Sequence, residues 1–312
     1  MKLVFCGTPQ FAVPSLEKIV AAGHDVQLVV TQPDRPQGRG MGLTAPPVKQ
    51  SALRLGLPVT QPEKIRKNEE FRERLTTIQP DAIIVVGYGR IIPDWMLQLP
   101  PYGNINVHAS LLPRYRGAAP IQWAIASGET ITGVTTMRID EGLDTGDILL
   151  KREMAIDPAD SSVTLAPRLA DLGAELLVET LARLQQGALE PVPQDNSLAT
   201  LAPILKKEDG LVDFTRTATE IQNRLRGFQP WPGAYTHFRG KNLKLVAVKP
   251  AQALQEIAPA ELRVSGDALL TGCGKGTALQ LFEVQPEGKK AMSARDFLSG
   301  YRPAQGERLG SV

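Results

Sequence analysis

Ala82-Ile83-Ile84-Val85-Val86, closed by Gly87, is an apolar run with no polar alternation. A strand with one wet face alternates, whereas a continuous, largely β-branched run signals a strand covered on both faces, as in parallel sheets layered with helices. The same texture recurs on either side. Residues 2–6 are a short apolar run ending at Gly7-Thr8-Pro9, followed by a helical stretch to about residue 22, with Gly23 placed to cap it. Residues 26–31, 104–107 and 133–139 read as further strands. Strands separated by helices are βαβ units, so the spacing predicts a doubly wound α/β domain with a mostly parallel sheet.

Beyond that domain the texture changes. Residues 160–187 carry Leu165, Leu169, Leu172, Leu176 and Leu184 at helical spacing, with Pro167 expected near the helix start. Residues 189–207 contain Pro191, Pro193 and Pro203 without periodicity, the texture of a linker. One helical stretch at 218–226 is then followed by short runs at 233–239, 242–249, 261–264, 268–270 and 277–284, parted by Gly240, Gly266 and a Gly272–Gly276 turn. Short strands with glycine turns predict a small β-barrel of the OB type. The expected division is an α/β domain over 1–188, a linker over 189–208 and a C-terminal β domain over 209–312.

With 312 residues, 42% hydrophobic and 22% charged, the chain has ordinary globular composition and enough length for two cores. No stretch approaches the roughly 18 apolar residues of a membrane span, and the first residues lack the plan of a signal peptide. Cys6 and Cys273 lie far apart with no metal-binding spacing, and read as small buried hydrophobes of a reducing, cytoplasmic setting. Neither a disulfide nor a metal is expected. The net charge of +2 is uneven: residues 1–205 hold 19 Lys and Arg against 22 Asp and Glu, and residues 206–312 hold 16 against 11. A basic C-terminal third suits a polyanionic partner such as nucleic acid, and equally a solubilising surface.

Of three histidines, His24 falls in a Gly-His-Asp turn and His237 in a C-terminal strand pattern. His108 differs because it ends the run Asn106-Val107-His108, at the C-terminal edge of the sheet where open α/β folds bind ligands. The two-residue period of a strand puts Asn106 and His108 on one side. The acidic stretch from Asp140 to Asp147 follows another strand and could supply a carboxylate to orient His108, or bind a metal; it lacks the calcium-loop pattern. Other motifs fail. Cys6-Gly7-Thr8-Pro9 is not a dinucleotide fingerprint, Gly274-Lys275-Gly276 is not a phosphate loop, and no serine-hydrolase elbow occurs.

The run from Asn106 through Ser110-Leu111-Leu112-Pro113-Arg114-Tyr115-Arg116 to Gly117-Ala118-Ala119-Pro120-Ile121 resembles the signature of folate-dependent formyltransferases, and its Gly-Ala-Ala-Pro-Ile extension favours the tRNA branch. The Asp140–Asp147 stretch, Gly7-Thr8-Pro9, Thr31-Gln32-Pro33-Asp34-Arg35-Pro36, Pro230-Trp231-Pro232 and Gln285-Pro286-Glu287-Gly288-Lys289-Lys290 extend the resemblance over both domains. It implies 10-formyltetrahydrofolate as donor and the α-amino group of methionine on initiator methionyl-tRNA as acceptor. By position, Asn106, His108 and Asp144 become the catalytic set. Ser110, Leu111, Leu112 and Pro113 line the folate site, with Val86, Gly87, Tyr88, Gly89 and Arg90 as a further wall. The long segment 34–49, read from composition as a plain surface loop, becomes a tRNA-engaging insertion led by Arg39. Many relatives carry lysines where this chain continues as Met41-Gly42, which weakens its electrostatic pull. Lys206, Lys207, Lys241, Lys244 and Lys249 are the other candidate phosphate contacts, and a monomer without membrane association is expected. Two rivals stay open at this point: a sibling enzyme formylating a nucleotide-linked or sugar amine, and a non-enzymatic RNA-binding protein.

Overall fold

The computed structural model describes residues 1–37, 42–252 and 257–310. Its contacts divide into two compact units that interleave along the chain. The first comprises Met1–Pro120, Ile131–Ala155 and Ala166–Ala202; the second Ile121–Thr130, Ile156–Leu165 and Pro203–Val312.

The first unit opens with β1 (Lys2–Gly7), α1 (Val13–Ala21) and β2 (Asp25–Val30). Gly23, at φ 81°, ends α1: its N–H reaches Val20 O at 3.0 Å while His24 N–H reaches Ile19 O at 3.1 Å, a paired helix-ending motif that favours glycine. A short hairpin, β3 (Arg35–Gln37) with β4 (Gly42–Thr44), precedes α2 (Pro47–Arg54) and β5 (Val59–Thr60). Then come α3 (Glu69–Ile78), β6 (Ala82–Val86), α4 (Asp94–Leu97) and β7 (Asn104–His108). Asn68 caps α3, accepting the Phe71 N–H. After α5 (Pro120–Ala126) come β8 (Ile131–Arg138), β9 (Ile148–Ala155) and the long α6 (Ser162–Gln185).

The sheet order is β5-β2-β1-β6-β7-β8-β9. Pairing is parallel from β5 to β7 and antiparallel at β7–β8 and β8–β9. The mostly parallel α/β sheet expected from the runs is therefore present, and all five residues of β6 are buried. Strand order reverses between β1 and β6, so the carboxyl ends of these strands and of neighbouring β7 form the crevice where such sheets bind ligands. Pro167 is the sixth residue of α6 rather than near its first turn. Its missing donor falls opposite the carbonyl of Val163, an exposed residue.

The second unit holds α7 (Ala218–Gly227), β10 (Ala234–Phe238), β11 (Lys241–Ala251), β12 (Leu262–Ser265), β13 (Ala268–Gly272), β14 (Ala278–Pro286), β15 (Met292–Ser293) and α8 (Ala294–Tyr301). Its antiparallel sheet runs β10-β11-β14-β13-β12, with β15 on β14. The separate C-terminal β domain expected from the glycine-parted runs is present, and its sheet is antiparallel. Ile221, Leu225, Leu262, Leu281 and Phe297 belong to its core. Residues 121–130 belong here because Trp123 meets Phe228 edge-on at 5.2 Å and Gly227 packs on the backbone of Gln122 and Ala126, leaving no room for a Cβ. Among the described residues no helix is long and apolar enough to cross a membrane.

Candidate active site

β7 carries the site. Its Val107 faces α6, where a Cβ on Gly173 would meet the valine methyl at 2.8 Å. The alternate residues Asn104, Asn106 and His108 therefore share the other face. Asn104 donates to Met96 O and Leu97 O at 2.9 and 3.2 Å, which anchors that face to α4. Asn106 is half-buried and His108 is buried, 6% exposed.

His108 Nε2 lies 2.9 Å from Tyr115 O. A carbonyl only accepts, so Nε2 carries a proton and Nδ1 is the free position of the neutral ring. Nδ1 faces Asp144 Oδ2 at 3.7 Å. That exceeds a hydrogen bond yet is close enough for Coulomb attraction once the ring is protonated. The same Oδ2 accepts the Gly117 N–H at 2.8 Å. Thus the carboxylate is fixed by backbone on one side and looks at the imidazole on the other.

Two turns produce this meeting. In the first, after β7, Ser110 Oγ donates to Arg114 O at 2.6 Å, while Thr135 on β8 donates to Ser110 O and receives the Leu112 N–H. Tyr115 at φ 61° and Gly117 at φ 121° turn the chain back over His108. A Cβ at Gly117 would stand 2.7 Å from Ala202 O, so a side chain there would push the turn off its support. In the second, Asp140 accepts the Gly142 N–H and the Thr145 hydroxyl, closing the acidic loop on itself. Asp144 adopts φ 52° and projects inward. Of the acidic residues in that stretch, Asp140 shapes the loop and Asp144 reaches His108. Among the described residues no three His, Cys, Asp or Glu side chains converge as a metal-ligand set.

The remaining expected residues are distributed unevenly. Val86, Tyr88, Ser110 and Leu112 have buried side chains; Gly87 and Gly89 are exposed, and Leu111, Pro113 and Arg90 are half-buried. Burial pushes the Tyr88 phenol well above its ordinary range, and its hydroxyl has no hydrogen-bond partner among the described residues. A cleft of about 450 Å³ opens between α4, at Asp94, Leu97 and Gln98, and the turn at Ile139, Asp140 and Gly142. None of the nine anticipated folate-lining residues lines that cleft. Lys206, Lys207, Lys241, Lys244 and Lys249 are all exposed. Lys249 lies 5.9 Å over the Phe282 ring. Arg39, with Met41, lies outside the described residues.

Sequence reasoning missed three contributors. Thr135 sits opposite His108 in the β7–β8 register. Arg116, quoted only as part of a motif, is buried and bonds Gln194 and Asn196. Gln194 falls in the stretch read as a linker, which carried no periodicity to signal it.

Residues 1–181 match the family described as formyl transferase, and residues 204–302 match the formyl transferase C-terminal domain. A methionyl-tRNA formyltransferase of Koribacter versatilis is 69% identical over 312 residues, covering 100% of this chain and 99% of its own length. One from Solibacter usitatus is 57% identical, covering 99% of each. Among solved structures, an N-formyltransferase of Helicobacter canadensis, in complex with folinic acid and dTDP-3-aminofucose, superposes with a TM-score of 0.65 at 19% identity, covering 92% of this chain and 99% of its own. HypX of Aquifex aeolicus, in complex with tetrahydrofolic acid, gives 0.59 at 18% identity, covering 98% of this chain and 48% of its own. At such identities these structures speak for the fold alone.

Proposed function

The chain belongs to the formyl transferase family, and from that premise we propose that Asn106, His108 and Asp144 carry its chemistry. It transfers the formyl group of 10-formyltetrahydrofolate to the α-amino group of methionine on initiator methionyl-tRNA. The observation that supports the residue assignment is the approach of His108 Nδ1 to a carboxylate already held by backbone.

A free α-amine titrates near about 8 and an ester lowers it, so much of the acceptor is neutral at pH 7. The barrier lies in the tetrahedral intermediate. As the amine attacks, negative charge grows on the formyl oxygen while the new C–N bond makes the nitrogen acidic. The Asn106 amide donates to that oxygen, a contribution of about 100- to 1,000-fold in rate. His108 Nδ1 accepts the proton from nitrogen, and the imidazolium is stabilised by Asp144. Once charged, Nδ1–H can donate to the oxyanion and pass its proton to the departing folate nitrogen. Acid–base help of this kind supplies roughly 100- to 10,000-fold.

We place the donor's flat ring along the cleft. Leu97 and Ile139 offer apolar edges; Asp94, Gln98 and Asp140 offer polar ones. Residues 86–90 and 110–113 would contribute chiefly backbone groups, because four of their side chains are buried. Residues 209–312, with the exposed lysines 241, 244 and 249, would hold the tRNA body, aided by Lys206, Lys207 and Arg39. Acting as a monomer in the cytoplasm, where charged tRNA resides, completes the proposal. The test is a formylation assay offering methionyl-tRNA beside sugar-linked and nucleotide-linked amines. Formyl-methionyl-tRNA as the dominant product supports the reading; preference for a small amine refutes it.

A further inference from the structure

Gln194 has all four hydrogen-bonding positions of its side-chain amide occupied. Oε1 accepts from Arg116 Nε at 3.0 Å and Nη2 at 2.7 Å. Nε2 donates to Asp144 O at 2.9 Å and Gly146 O at 2.7 Å. The orientation is dictated by the partners. A guanidinium only donates and a carbonyl only accepts, so a flipped amide would turn four attractive contacts into four repulsive ones. Arg116 is itself 6% exposed and is held further by Asn196 Oδ1 at 2.8 Å.

We propose that Gln194 is a positioning residue for formyl transfer, clamping the Asp144 loop to the turn at Arg116 so that the Asp144 carboxylate stays at His108. This rests on Asp144 having the catalytic role assigned above. The clamp is needed because Asp144 sits at φ 52°, the left-handed region that crowds the Cβ of an L-residue against its own backbone. The neighbouring residues Glu141, Gly142 and Leu143 are exposed and offer little packing to hold the conformation. Among the described residues Asp140 ties the loop to itself, through Gly142 and Thr145. Gln194 instead grips the loop at its strained residue and two residues on. Gly146 must be a glycine for this path, since a Cβ there would collide with Arg138 O. Released from the clamp, Asp144 can relax to negative φ, which swings its carboxylate off Gly117 N–H and away from the imidazole.

Gln194→Glu and Gln194→Ala separate the two halves of the clamp. The glutamate keeps acceptors for Arg116 but, ionised, cannot donate to the two carbonyls; the alanine loses both. The experiment is a single-turnover double-mutant cycle on the full-length enzyme, combining each variant with Asp144→Asn, with the midpoint of thermal unfolding followed in parallel. Both Gln194 variants are expected to slow formyl transfer about 10- to 100-fold, the scale of a misplaced group, while KM for tRNA and donor stay within about twofold of wild type. In the Asp144→Asn background the same substitutions should cost less than about twofold, because the group they position is already gone. Wild-type rates for either Gln194 variant would overturn the proposal, as would equal losses in both backgrounds, the mark of a general structural defect. Asp144→Asn running at the wild-type rate would instead refute the catalytic assignment itself, a distinct result.

Discussion

Around His108, three residues sit at positive φ, and the Asp144 carboxylate is gripped by backbone from the facing turn. The antiparallel sheet of the second unit is built the opposite way. Along β11, Leu243, Leu245 and Val248 point inward while Lys244 and Lys249 point to water. One region spends conformational energy to place a few polar atoms, and the other buries apolar area and leaves its charges solvated. Substitutions should accordingly alter rate in the first and stability or salt dependence in the second.

The sharpest break in that contrast is expected from Asn106→Ala. Its turnover should fall about 100- to 1,000-fold, as for loss of one oxyanion donor, with methionyl-tRNA affinity within about twofold of wild type in a filter-binding titration. A fall in affinity of matching size would move Asn106 from the chemistry to the tRNA contact. In the second unit, Leu281→Ala removes a core residue that is 1% exposed. It should cost about 2–5 kcal/mol in denaturant unfolding of that unit, with the turnover of folded enzyme retained.

A smaller effect is expected at the start of α7. Thr217 accepts the Glu220 N–H, and Glu220 accepts the Thr217 N–H and hydroxyl. Thr217→Ala should cost about 1 kcal/mol at neutral pH. Hydrogen bonds from Thr217 hold the Glu220 carboxyl below its ordinary value of 4.5. The stabilisation that depends on its charge is therefore present above that value and lost as pH falls through the depressed one. Urea midpoints for the two proteins should draw together in acid; a constant gap would show that the Thr217 hydroxyl gains nothing from the carboxylate's charge. The smallest effect belongs to Lys244→Ala, which should lower the salt dependence of tRNA binding by about 0.9 in log–log slope if it meets one phosphate. An unchanged slope would leave it a solvated lysine.

What was legible follows the same division. The run at Ala82–Val86 announces a strand covered on both faces, and period two places Asn106 beside His108 at the carboxyl end of a strand. β9 is less visible, because Lys151, Arg152 and Glu153 interrupt it and only its alternation marks a strand. α8 escaped notice as a short segment, although Ser293 capping the Asp296 N–H is a helix-start signal. Spacing did not tell Asp144 from its acidic neighbours; the family resemblance did, and the distinction lies in which carboxylate the loop turns inward. Gln194 was invisible because its partners lie 48 to 78 residues away and its own stretch has no period. Contacts that close over such distances are set by the finished fold rather than by local pattern.

The most direct measurement is the single-turnover rate of formyl-methionyl-tRNA formation by His108→Ala at saturating donor, with acceptor affinity determined on the same preparation. With the proton acceptor gone, the rate should fall about 100- to 10,000-fold while tRNA still binds as to the wild type. Transfer at the wild-type rate, or a loss accounted for wholly by weaker binding, would contradict an imidazole acting on the formyl group.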